Sequence, residues 1–146
     1  MSEPTTYAFL DSSIVINHPS YGAHILNGEG IGQLTIDMAG DVSAHDVAAD
    51  GAVMISKIAQ NNGSVTIEVQ QTSEAYKYML GLYNYLKGAA TSEWATASIK
   101  ARNISDGTSH YLKGVSPQKK PTKIYGKQGQ NISFTFLAAD IQSETA

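Results

Sequence analysis

Ser43, His45 and Asp46 stand together in "VSAHDVAADG", and they are the residue types that supply a nucleophile, a base and an orienting acid. Such groups are gathered from distant parts of a fold, whereas these three are chain neighbours. No G-x-S-x-G turn is present to raise a nucleophile. The histidines, His18, His24, His45 and His110, show neither His-x-His nor HExxH spacing. Asp37, Asp41, Asp46 and Asp50 recur at four- or five-residue steps, which misses the alternating ligands and central glycine of a calcium loop. "GEGIGQ" leads into a strand pattern and not a helix, so it is no phosphate loop. "KKPTKIYGK" could touch phosphate, but lysines set around prolines have the composition of a solvated loop. With no cysteine, disulfides, thiolate zinc sites and a Cys nucleophile are excluded. The expectation is no catalytic residue, no cofactor and no metal, with assembly as the role of Ser43, His45 and Asp46.

The elements that would carry these residues are mostly strands. "SSIVINH" (12–18) is rich in β-branched residues and stops at Pro19. "QLTIDM" (33–38) alternates Leu34, Ile36 and Met38 against Gln33, Thr35 and Asp37. Asp50–Gly51 and Asn62–Gly63 read as hairpin turns around "AVMISKI", the second leading into "SVTIEVQQ". The period then changes. From the N-cap Thr72–Ser73, "EAYKYMLGLYNYLKG" places Tyr76, Met79, Leu80, Tyr83 and Leu86 on one helical face, a core or subunit contact, and Gly88 reads as its stop. Gly81 either weakens this helix or permits close packing on a sheet. "WATASIKARNI" and "TSHYLKGVS" form a hairpin at Asp106–Gly107, "PQKKPTKIYGKQGQ" is a loop or edge, and "NISFTFLAA" is a last strand. Seven or eight short strands and one helix predict a mainly β, antiparallel sandwich or barrel with a flanking helix. It should form a single domain over residues 1–146, with an extended arm at 1–11 and a tail at 140–146.

Composition points to partners. Charged residues are 16% of the chain, against about 25% in ordinary soluble domains. A surface poor in charge is either rich in neutral polar groups or covered. The net charge of −3 argues against tight binding of duplex DNA. Residues 1–74 hold nine acids and one base (−8), and residues 75–146 hold nine bases and four acids (+5). Unless folding intermixes the halves, copies could meet acidic patch to basic patch. "MSEPTTYAFL" lacks the basic and apolar regions of a secretory signal, and no apolar run approaches the roughly 20 residues that span a bilayer. A soluble protein made in the cytoplasm is expected.

"DGAVMISKIAQNNGSVTIEVQQTS" followed by a helix resembles the tail tube proteins of contractile-tailed bacteriophages, densely over residues 47–73 and more loosely over 12–139. The resemblance implies a β-sandwich with a flanking helix, closing into hexameric rings that stack into a hollow tube inside the sheath. It also implies that a genome would pass through the lumen without tight binding. Partners would be further copies of the chain and the tail sheath, baseplate or tube-initiator and tape-measure proteins, and the location the virion. Residues 37–52 would match a loop reaching a neighbouring ring. Asp37, Asp41, His45, Asp46 and Asp50 there, and Lys119, Lys120, Lys123 and Lys127 in the second loop, are the candidates for setting ring stacking. A tube subunit of a tailocin or secretion device would read the same way, and so would a tube initiator. A small β-fold hydrolase or sugar-binding module is the alternative of a different class, and it would need a pocket with convergent polar groups.

Overall fold

The computed structural model describes residues 12–26, 31–103, 107–121, 123 and 125–145. The expected arm at 1–11 lies outside them, as do residues 27–30, which hold the start of "GEGIGQ". Among the described residues the strands are β1 (Ser12–His18), β2 (Gly22–Leu26), β3 (Ile31–Met38), β4 (Ser43–Val47), β5 (Val53–Lys57), β6 (Gly63–Gln70), β7 (Ala97–Asn103), β8 (Ser109–Pro117) and β9 (Asn131–Glu144). The helix α1 (Glu74–Gly88) follows β6. Seven strands form one antiparallel sheet in the order β2-β1-β7-β8-β9-β6-β3, and β4 and β5 form a separate ribbon. The main sheet curls into half a barrel with the helix across its inner face, the mainly β arrangement expected from sequence.

The long strand β9 explains the curl. Its first half pairs with β6 (Gln70 opposite Asn131, Gly63 opposite Ala138), and its second half with β8 (Leu112 opposite Ile141, Ser109 opposite Glu144). Opposite the β7 register shift between Ala97 and Ile99, Gly114 takes φ +64°, and the local bulge sharpens the twist. Val65, Ile67 and Val69 of β6 meet Phe136, Phe134 and Ile132 of β9, forming a core with Ile14, Ile16, Ile99 and Leu112. Each fully buried aliphatic or aromatic side chain stabilises this layer by about 1.5–3 kcal/mol.

The helix starts where expected, with the Ser73 hydroxyl accepting from the Tyr76 amide at 3.2 Å. Its end differs: Gly88 is still helical, and the extended cap is Ala89, whose amide donates to the Leu86 carbonyl. The buried face is also turned relative to expectation, onto Ala75, Met79, Leu82 and Leu86. Tyr76 and Leu80 pack at its margins, while Tyr83 is outside the core cluster. Gly81 serves the close approach of Tyr21, whose hydroxyl occupies the space a Cβ would take, and not an approach to the sheet.

Several boundaries change for the same reason, namely that partners and not local pattern decide them. Strand β2 was not signalled. It pairs with β1 across a tight turn in which His18 Nδ1 accepts from the amides of Ser20 and Tyr21, both at 3.1 Å. Asn62–Gly63 is no hairpin turn: Gly63 opens β6, where a Cβ would run into the Asp37 carbonyl of β3. Residues 140–144, expected as a tail, continue β9 against β8. The expected loop at 37–52 contains the strand β4, since 43–47 pair with 53–57.

Candidate assembly surface

The β4–β5 ribbon sets itself apart because every residue in both strands is exposed. Its turn is well specified. The Gly51 amide donates to the Ala48 carbonyl at 2.9 Å and Gly51 takes φ +89°, which only glycine adopts without strain. The Ala52 amide donates to Asp50 Oδ1 at 3.0 Å, so Asp50 shapes the tip while keeping its charge outward. At the root, the Ala39 amide donates to the Asn62 carbonyl and the Ile141 amide to the Asn61 carbonyl, tying the ribbon to the main sheet.

Register divides the ribbon into two faces. Ser43, His45 and Val47 share one with Val53, Ile55 and Lys57; Ala44 and Asp46 share the other with Met54 and Ser56. Asp46 therefore points away from Ser43 and His45, and the three cannot form a relay. The ribbon also exposes Val42, Val47, Val53, Met54 and Ile55 together. A lone two-stranded ribbon is marginal in water, and clustered exposed apolar side chains mark contact surfaces.

The remaining histidines are committed to structure. His18 is buried, and with both local amides on Nδ1 its proton sits on Nε2, facing the Glu93 carbonyl at 3.1 Å and the Thr96 hydroxyl at 3.0 Å. His24 stacks on Tyr78, and His110 Nδ1 lies 2.7 Å from the Ser143 hydroxyl. No three His, Cys, Asp or Glu groups come together as a metal site among the described residues. A recess of about 490 Å³ at the root of the ribbon is lined by Gly63, Gly114, Ala138 and Ala139 together with Asp37, Asn62, Ser64, Ser116 and Gln118. No histidine and no second carboxylate joins Asp37 there.

Two groups with displaced titration, Glu93 and Tyr78, lie near the helix and the β1–β2 turn and not on the ribbon. Hydrogen bonds from Ser20 and Tyr85 hold the Glu93 carboxyl below its usual range. Burial, with Tyr21 nearby, pushes the Tyr78 phenol up to about 12, and its hydroxyl donates to the Gly22 carbonyl at 2.7 Å.

The lysine segment lies away from the ribbon. The ribbon joins the start of β6, whereas residues 118–130 enter β9 at Asn131, opposite Gln70 at the far end of β6. At about 3.3 Å per residue, β6 separates them by roughly 25 Å. Lys119, Lys120 and Lys127 are exposed there. Lys123 instead folds over the Tyr76 ring, its Nζ 3.8 Å from the centroid, so it is not a free surface charge. Sequence reasoning named the acids of the ribbon but not its exposed Val47, Val53, Met54 and Ile55. The signal that could have found them is that "VMISK" lacks strict alternation.

The fold has relatives among solved structures. The anti-feeding prophage baseplate contains a chain with a TM-score of 0.66 and 13% identity, over 99% of this chain and 97% of that one. The cap terminating the anti-feeding prophage tube contains one at TM-score 0.63 and 8% identity, covering 100% and 95%. The sheath–tube complex of an extracellular contractile injection system, in its extended state, contains one at TM-score 0.56 and 9% identity, covering 91% and 88%. A search of curated protein sequences finds no match. A nearly whole-length sequence match, over residues 4–145, decides the family: the chain belongs to the bacteriophage PhiTE tail tube protein family.

Proposed function

We propose that this chain assembles with copies of itself into stacked hexameric rings that form the inner tube of a contractile tail. Membership of a tail tube family makes it a structural protein of the tube type and not an enzyme. The observation that carries the proposal is the ribbon, an ordered element with apolar side chains on both faces and, among the described residues, no strand paired to it beyond its own two. Such an element suits a heterologous contact, in which one surface of a subunit meets a different surface of the next. The outer face of β3, β6 and the first half of β9 is the natural channel wall. Thr35, Thr66 and Thr135 line up across it with Asp37 and Glu68, and these strands carry no lysine or arginine. A polyanion would slide over such a wall without the counterion release that drives tight binding. In this reading the sheath surrounds the tube, baseplate and tape-measure proteins meet it, and the assembled particle delivers a genome.

Concentrated pure protein, viewed by negative-stain electron microscopy, should show rings and tubes. A strictly monomeric mass by light scattering across a wide concentration range would overturn the proposal. The baseplate and cap neighbours favour one second reading, a tube-end component. It would give single rings that never lengthen.

A further inference from the structure

We infer that the face of the β4–β5 ribbon bearing Asp46 and Met54 docks on the outer face of β2, β1 and β7 of a neighbouring copy. This rests on the assembly reading above and adds the receiving surface. The outer side of that half-sheet is unlike the hydroxyl-rich wall formed by β3 and β6. One cross-strand row runs Ile25, Val15, Lys100, Tyr111 over four adjacent strands, and Arg102 lies one step along β7. Ile25 is 57% exposed, although it stands in a strand of the main sheet. Strands β1, β2 and β7 carry no carboxylate, so Lys100 and Arg102 form a cationic strip beside apolar side chains. The only ion pair within 4.0 Å among the described residues, Lys77 with Glu74, lies elsewhere. Asp140 and Glu144 share the outer side on β9, two strands or about 10 Å from β7, and Glu144 lines a recess with Lys100 and Tyr111, so the end of the strip toward β2 and β1 is the part free of acids.

The ribbon has the complementary character. Between Asp41 and Ile58 it carries Asp41, Asp46 and Asp50 against a single Lys57. Its faces are not equivalent. Lys57 lies on the face with Ile55 and would repel the cations of the strip, whereas Asp46 stands directly across from Met54 on the other face, which carries no lysine or arginine. That face offers an acid next to an apolar side chain, and the strip offers Lys100 next to Val15 and Ile25. Opposed charges fix register, and the apolar pairs supply the buried area. The lysine segment is the rival receiver. It presents Tyr125 and Pro121, but its Lys123 is already held by Tyr76.

The chain has no cysteine, so single-cysteine variants of the full-length protein report intermolecular contacts directly. Met54→Cys mixed with Ile25→Cys should give a covalent dimer with a short thiol-to-thiol crosslinker under assembling conditions. Met54→Cys mixed with Tyr125→Cys should not. Charge reversal supplies a second arm. Asp46→Lys and Lys100→Glu should each lose assembly alone, and the mixture should regain it, because each variant then supplies the surface the other lacks. Crosslinking to Tyr125 and not to Ile25, or no rescue on mixing, would overturn the assigned receiver while leaving assembly intact. Failure of the wild-type chain to assemble at all would overturn the tube reading and this inference together.

Discussion

Strands β5 and β6 lie close together in sequence and are rich in the same β-branched and aliphatic side chains, yet they end in opposite environments. Val65, Ile67 and Val69 of β6 are all 0% exposed, whereas Val53, Met54 and Ile55 of β5 are 51%, 61% and 68% exposed. Strand β6 is flanked by β3 and β9 and roofed by α1, so its alternation places every second residue in the core. Among the described residues, strand β5 has only β4 beside it, and all five of its residues are exposed. The difference shows that apolar side chains in a strand specify burial without specifying by whom. In β6 the partner is the same chain, and for β5 the assembly proposal supplies it from outside.

The sharpest way to test this contrast is to truncate one side chain on each strand. Ile67→Ala should lower the free energy of unfolding by about 2–5 kcal/mol, measured by denaturant titration of unassembled protein. Ile55→Ala should change it by less than about 0.5 kcal/mol in the same experiment. Equal losses would mean that the ribbon is packed against its own chain in solution.

A smaller effect is expected where the ribbon meets the sheet. Gly63→Ala would press a Cβ into the Asp37 carbonyl and to within 2.8 Å of Ile141 Cδ1, so a loss of about 1–3 kcal/mol should appear as a lower melting temperature. Further out, Gly51→Ala forces an L side chain into φ +89°, a local cost of about 1–2 kcal/mol. It should speed amide exchange in β4 and β5 and leave the exchange of β6 unchanged.

The smallest effect is a pH dependence confined to the sheet-and-helix body. Because hydrogen bonds hold the folded Glu93 carboxyl below the usual carboxylate range, its contribution is present above the unfolded value and is lost as pH falls through the folded one. Tyr85→Phe removes a hydroxyl that donates to this carboxylate at 3.1 Å. The variant should lose less stability than the wild type when melting temperatures are compared between about pH 6 and about pH 3. Assembly through the ribbon should not require Tyr85.

The legible parts of the fold were those governed by local chemistry. The Ser73 cap, the alternation of β6 and β9, the helical period after residue 73 and the Asp50–Gly51 turn all rest on interactions within a few residues or one pleat. The illegible parts depend on long-range partners. Strand β2 exists because β1 and the His18 turn hold it, and the inward turn of Leu82 follows from where α1 crosses the sheet. Asn62–Gly63 has the composition of a hairpin turn but is used for a close strand approach. For the surface, the acids between residues 37 and 50 were readable as charge. Their mounting on an exposed ribbon was not, because exposure is a property of what fails to pack against it. The lysines misled in part, since an aromatic ring far away in sequence captures Lys123.

The most direct test of the ribbon as an assembly surface is to replace Val47, Met54 and Ile55 together by serine and follow mass by sedimentation velocity over a concentration series, with circular dichroism melting as the folding control. The wild-type chain should shift to ring-sized and longer species as concentration rises. The triple variant should melt at the same temperature in its unassembled form and stay monomeric throughout. Assembly of the folded triple variant at wild-type concentrations would contradict the account and place the contacts elsewhere on the molecule.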